Sequence, residues 1–268
     1  MIPKIIHYSW FSDAPIPEHI QELMVTWKKY LPDYEFRLWN GKALAEINCP
    51  YANEAVSVKK WAFAADFLRN YVVYKYGGIW LDTDIEVFKS FDPFLNNRMF
   101  IGAEANFHGL PKKRYVTSHC FGAEAGHPFL KLCVDYYINR HFIHSTNEEL
   151  PLTFRYDMQL ILPEIHGKIL VDNYGYNADG YQDQVLKDGI HIYPSDYFDS
   201  PRYNTMKNVV CIHRAQGGWR PNSNAGEFDY SSTNAAKKNL YYYIFQLYDK
   251  LNGFSYKYLG FGISKGKR

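Results

Sequence analysis

The chain has 268 residues, 47% hydrophobic and 22% charged, enough to bury a core without disulfides or a structural metal. A net charge of +2 is too balanced to point to nucleic acid. No stretch nears the ~20 apolar residues of a membrane span, and the opening MIPKIIHYSWF lacks the basic and apolar blocks of a signal peptide. Cys49, Cys120, Cys133 and Cys211 are too scattered for a zinc knuckle or disulfide framework, so free thiols and a cytoplasmic setting are expected.

In chain order, Pro3 to Trp10 reads as a buried strand. Ile20, Leu23, Met24 and Trp27 then recur at helical spacing behind Pro17, which suits a helix start. YEFRLWN alternates as a second strand, so strand, helix and strand predict a parallel βαβ unit. Lys59 to Tyr76 is the strongest helix: Trp61, Ala64, Ala65, Leu68, Val72 and Tyr76 share a face, and Gly77-Gly78 ends it. Strands follow at Ile79–Leu81, Ile85–Phe88, Phe100–Ala103 and Cys120–Ala123, then a helix at Phe129–Tyr137. Met158–Ile165 is expected to be helical despite Pro163, and Val171–Asp188 to be loop. Short strands at Ile190–Tyr193 and Val209–Ile212, a polar loop from Arg214 to Thr233 and a helix at Asn234–Leu251 complete one α/β domain.

Chemistry concentrates in AFAADFLRNYVVYKYGGIWLDTDIEV, residues 62–87. An Asp-x-Asp triplet alone is weak, since chance places about one in a chain this long. Here, however, Asp82 and Asp84 stand where an apolar strand runs out. Carboxylates there need compensation, which a divalent cation with phosphate oxygens supplies. The carboxyl end of a strand in an open α/β sheet is also where ligands bind. Asp66 and Arg69, three apart on the preceding helix, share a face; they read either as a surface ion pair or as groups turned to the same site.

These features resemble the family 32 glycosyltransferases, which carry the DXD sugar-binding motif, and are similar to the large clostridial glucosylating toxins. The matching segments are IPKIIHYSWF, PDYEFRLWN, AADFLR, GGIWLDTDIEV and, late in the chain, HRAQGGW. The resemblance implies a GT-A type, Rossmann-like fold with a C-terminal helical and loop elaboration. It divides into a nucleotide-sugar half (1–103), an acceptor and metal-completing half (104–233) and a helix with a basic tail (234–268). It assigns Asp82, Asp84 and His213 to a metal; a mixed oxygen and imidazole set suits manganese, with magnesium the alternative. His7, Trp10, Asp66, Arg69, Trp80, Asp82 and Trp219 fall to the donor. His213 and Trp80 also read, more plainly, as a strand-end histidine and a core tryptophan.

The implied reaction is hexose transfer, with retention, from a nucleotide sugar (UDP before GDP) to a glycan or lipid-linked saccharide in surface polysaccharide synthesis. Arg69, with Arg214 or Arg220, is placed to assist the leaving diphosphate. Asp157 and Gln159 are candidates for the β-face of the sugar, and Glu104 for the acceptor. An effector that glycosylates protein shares this chemistry. A metal-dependent phosphohydrolase needs further strand-end carboxylates that the chain does not offer, and a lectin-like binder does not need the acidic grouping. The tail, with Lys257, Lys265, Lys267 and Arg268 among aromatics, is either a membrane contact or a solvated end.

Overall fold

The computed structural model describes residues 1–105, 111–158, 160–177, 183–199 and 207–214. The helix expected at 234–251, the basic tail, Gln159, Trp219 and Arg220 lie outside them. The βαβ unit is present: β1 (Ile5–Ser9) and β2 (Glu35–Trp39) run parallel, Ser9 opposite Trp39, joined through α1 (Glu18–Tyr30). β3 (Gly78–Leu81) adds to the other side of β1, also parallel, which brings the carboxyl ends of all three strands together.

Beyond β3 lie β6 (Pro111–Ala123), β5 (Met99–Ala105), β8 (Ile190–Tyr193) and β7 (Gln184–Val185), giving the order β2-β1-β3-β6-β5-β8-β7. β3, β5 and β7 meet their neighbours β6, β6 and β8 antiparallel, so the sheet is mixed. Three helices, α4 (Trp61–Tyr76), α5 (Pro128–Ile138) and α7 (Leu162–Tyr174), pack into one core with Trp80, Ile101 and Phe121. The opposite core holds Trp27 of α1, Ile79 and Leu81 of β3, Phe198 of α8 (Ser195–Phe198), and a two-stranded sheet of β4 (Ile85–Val87) and β9 (Cys211–His213). The four cysteines are free and buried.

Gly77 and Gly78 do more than end α4. Both have positive φ, 64° and 112°, and a Cβ on Gly78 would meet the Ile5 carbonyl at 2.7 Å. Only glycine lets β3 enter the sheet this close to β1.

Two expectations are corrected. Helix α7 starts at Leu162, not Met158, because Pro163 occupies its first turn, where a missing N–H costs nothing. It then runs to Tyr174, into the predicted loop, and stops at Gly175 in the left-handed region. β6 begins nine residues before the predicted Cys120. The short helices α2 (Gly41–Ala45), α3 (Pro50–Ser57) and α6 (Leu152–Arg155) show too little periodicity to be read.

Two histidines tie α4 into this frame and are held neutral by burial. His7 accepts from Trp39 Nε1 (3.1 Å) and donates to the Gly77 carbonyl (2.9 Å). His166 bonds Asn70 Oδ1 (2.8 Å), and its Nδ1 is buried without a partner in the structure described. Burial lowers His7 to about 4 and His166 to about 3. Below pH 6.5 the unfolded chain takes up protons that the folded chain refuses, so stability present above 6.5 is lost as pH falls towards 4 and 3. Each group is expected to add about 1.4 kcal/mol per pH unit to that loss. Urea unfolding between pH 7 and 4 checks it, and His166→Gln should flatten the slope; an unchanged slope rejects the assignment.

Candidate active site

The corner where β3 ends is built by β3, α4, β6 and β9. Asp82 follows Leu81 directly, and its N–H donates to the His119 carbonyl of β6 (2.9 Å). Ile85 N–H closes back on the Asp82 carbonyl (3.1 Å), so Asp82-Thr83-Asp84 is a tight turn between β3 and β4. β9 lies antiparallel to β4 with His213 opposite Ile85, which carries His213 to the same turn. His213 Nε2 stands 3.3 Å from Asp84 Oδ1. One ligand-type atom from each of Asp82, Asp84 and His213 falls within 4.8 Å of the others.

Arg69, 4% exposed, forms the back wall. Its Nη1 reaches Asp82 Oδ1 (3.1 Å) and the Ser118 carbonyl (2.7 Å), Nη2 reaches Asp66 Oδ1 (3.2 Å), and Nε donates to the Ala65 carbonyl (3.2 Å). Trp80 Nε1 donates to Asp82 Oδ1 (2.7 Å), and its ring lies under the guanidinium at 5.4 Å. Asp66 and Arg69 are therefore not a surface pair. Trp80 is core, 1% exposed, and acts by holding Asp82.

Electrostatics asks for a cation. With Asp66, Asp82 and Asp84 ionised and His213 neutral, the state in which an imidazole can bind an ion, three carboxylates face one guanidinium, and a divalent ion cancels the excess. Burial pushes Asp66 up to about 7, against Arg69 and with the help of Asp82. Burial disfavours charge on His213, but Asp84 above all, with Asp82 and Asp199, outweighs it and lifts the imidazole to about 9. The side chains of Asp82, Asp84 and His213 stay 25%, 16% and 25% exposed, so their donor atoms can be reached. Two carboxylates and an imidazole fit manganese or magnesium.

A second triad, His119, Asp199 and His213, also brings its ligand-type atoms within 4.8 Å of one another. It does not fit an ion as well. The His119 and His213 rings stack at 4.1 Å, 20° from parallel. A cation sits in the plane of each imidazole it binds, about 2 Å from nitrogen, and two stacked planes cannot share one. His119 Nε2 is already committed to the Phe198 carbonyl (3.0 Å).

His119 was not legible in the motif, and an irregular strand explains why. β5 and β6 slip register between the pairs Ile101–Phe121 and Ala103–Val116, so four residues of β6 oppose Gly102 alone. Thr117 Oγ1 fills the gap, accepting from Gly102 N–H (3.0 Å) and donating to the Cys120 carbonyl (2.8 Å). The bow turns Ser118 and His119 to Arg69, Asp82 and His213, as bulges beside functional sites do.

Other expected residues are placed less directly. His7 is fully buried with both nitrogens engaged, so it shapes the strand ends and offers a ligand no polar edge. Trp10, partly exposed just past β1, donates its indole N–H to the Ala14 carbonyl (2.7 Å). The Asp157 carboxylate faces Arg140 (3.5 Å), and its carbonyl accepts from Tyr51 (3.4 Å). Burial, and then the charges of Asp66 and Asp157, hold the Tyr51 phenol well above its ordinary range. Arg214 pairs with Glu86 through Nε (2.8 Å) and Nη2. Glu104 is half-buried on β5.

The fold and this corner define an α/β protein with acidic side chains at the carboxyl end of parallel strands, the place where open sheets hold ligands. Residues 17–101 match the family described as "Glycosyltransferase sugar-binding region containing DXD motif". The segment GGIWLDTDIEV, from which the resemblance was read, lies within that match.

It is similar to Inositol phosphoceramide mannosyltransferase 3 of Schizosaccharomyces pombe, 29% identical over 54% of this chain and 41% of that protein. It is also similar to Mannosyl phosphorylinositol ceramide synthase SUR1 of Saccharomyces cerevisiae, 27% identical over 48% of this chain and 33% of that protein. The chain thus spans less than half the length of these relatives. Among solved structures, the PaToxG glycosyltransferase superimposes with a TM-score of 0.42 at 20% identity, over 64% of this chain and 68% of that one.

Proposed function

We propose that this protein moves a hexose from a nucleotide sugar to a glycan or glycolipid acceptor, with a divalent cation held by Asp82, Asp84 and His213. The observation that carries the reading is the meeting of these three donors at one turn, backed by a buried arginine already shared between Asp66 and Asp82. When bound, the cation neutralises charge on the departing nucleoside diphosphate.

The chain's own residues do the rest. Arg69 fixes Asp82 and Asp66 on opposite edges of its guanidinium, so each points to one part of the donor. Asp66 accepts hydrogen bonds from sugar hydroxyls, which bind the sugar and set its orientation. The exposed part of Trp10 offers a flat face to the base. Asp157 is the carboxylate proposed nearest the β-face, consistent with retention of configuration.

The mixed donor set favours manganese over magnesium. The names of the relatives add mannosyl donors and an inositol phosphoceramide-like acceptor to the UDP-hexoses and lipid-linked saccharides of surface polysaccharide synthesis. A lipid-borne acceptor suits work at the cytoplasmic membrane face, with the basic tail from Lys257 to Arg268 as the contact. No described helix is long and apolar enough to cross a membrane.

The test is nucleotide release from UDP-glucose, UDP-galactose and GDP-mannose, with manganese and with a chelator. Release that needs the cation and prefers one sugar is expected. No binding or turnover of any nucleotide sugar rejects the proposal.

A further inference from the structure

The metal ligand His213 has an unusual neighbour. His119, 4% exposed, lies face to face with it at 4.1 Å, and its own Nε2 is 3.0 Å from the Phe198 carbonyl. A carbonyl only accepts, so that nitrogen carries the proton and the ring is locked in plane. The Phe198 carbonyl belongs to α8, while His119 belongs to the bow of β6 pinned by Thr117. Two elements of the main fold therefore fix the His119 plane, and that plane backs the exposed imidazole of a short strand, β9, of three residues.

β9 itself gives His213 little restraint. Among the described residues it pairs with β4 alone, also three residues long. The His213 ring can turn about its χ angles unless something limits it. Asp84 contacts one nitrogen, at 3.3 Å, but must share that direction with any ion. Among the described residues, the His119 face and the Asp199 carboxylate are the other groups set against the ring.

We infer that His119 is a positioning residue for metal binding: its buried ring acts as a rigid plate that holds the His213 imidazole edge-on to Asp82 and Asp84. This rests on the assignment of the cation to Asp82, Asp84 and His213. Groups that orient a ligating histidine commonly hydrogen-bond its second nitrogen; here the restraint is a stacked face.

Manganese binding by the folded chain, read from the loss of the free-ion electron paramagnetic resonance signal, tests it without any turnover. His119→Phe keeps a flat ring and leaves the Phe198 carbonyl its second donor, Cys211 Sγ at 3.7 Å. His119→Leu keeps an apolar filling with no flat face. Leu is expected to weaken manganese binding about 10- to 100-fold, and Phe by less than about threefold. Equal binding by both variants and the wild type overturns the inference, as does a loss with Phe as large as with Leu. A wild-type chain that binds no manganese removes the metal site itself, a different failure.

Where either variant does not fold, nitrogen-15 spectra of the unmutated chain decide. The His119 proton is expected on Nε2, and magnesium is expected to move the signals of both imidazoles. A proton on Nδ1, or a His119 signal indifferent to magnesium while that of His213 moves, rejects the role.

Discussion

Asp84→Asn is expected to abolish cation-dependent nucleotide release, by about 1,000-fold or more, while leaving the fold intact. A loss of ~4 kcal/mol of transition-state stabilisation corresponds to that factor. The substitution keeps the shape of the side chain and removes its charge. Asp84 pairs with His213 at 3.3 Å, whereas Asp82 also anchors Arg69 and Trp80. With Asp84 neutral, the charge excess of the corner drops from two to one, so affinity for a divalent ion falls with it. His213 also loses the main support of its raised proton affinity and falls back from about 9. Stability near pH 7 should fall, since the charged His213 loses its carboxylate partner. Asp82→Asn should match the loss of activity and add a further loss of stability. Full activity in Asp84→Asn would falsify the metal assignment.

The sequence made Asp82, Asp84, Asp66 and Arg69 legible because each departs from a local expectation. Charges beside a buried strand, or inside a helix of small and apolar residues, need a reason, and one site answers for all four. His213 was legible only through the resemblance of HRAQGGW, since nothing local separates it from an ordinary strand-end histidine. His119, Ser118 and Thr117 were hidden for a topological reason. They sit in a bow whose register depends on Gly102, fifteen residues earlier, and no one-strand pattern records a pairing of that kind. Reading TSHCFGA as one strand, rather than starting at Cys120, brings His119 inside it, two residues from its start. His7 and Trp80, placed at the donor by the resemblance, have their polar edges engaged inside the fold, and Trp80 is the core tryptophan of the plainer reading. Asn70 and His166 carry no motif at all; their 2.8 Å bond joins α4 to a helix 96 residues away.

Arg69→Met should cost the most stability of any single change at the site, about 3–5 kcal/mol at pH 8, with activity lost as well. The side chain is one cation serving two carboxylates, two carbonyls and an aromatic face. Methionine fills much of the space, so the cost is mainly electrostatic: two carboxylates remain at a closed corner without their partner, and the Ser118 carbonyl loses a 2.7 Å bond. This origin gives the deficit a pH signature. Asp66 already sits at about 7, and without Arg69 its carboxyl rises further. A carboxyl raised above its unfolded value stabilises below the unfolded pKa, and that contribution is lost as pH rises through the folded one. The gap between variant and wild type should therefore be narrow near pH 5 and wide at pH 8. Asp66→Asn on the Arg69→Met background should recover about 1–2 kcal/mol at pH 8, a coupling that urea unfolding of all four members of the cycle measures. A deficit flat across this range, or a double variant no more stable than Arg69→Met, would mean that Arg69 acts by packing alone. The charge count that calls for a divalent ion would then lose its central term, because it treats Arg69 as the sole compensation for Asp66 and Asp82.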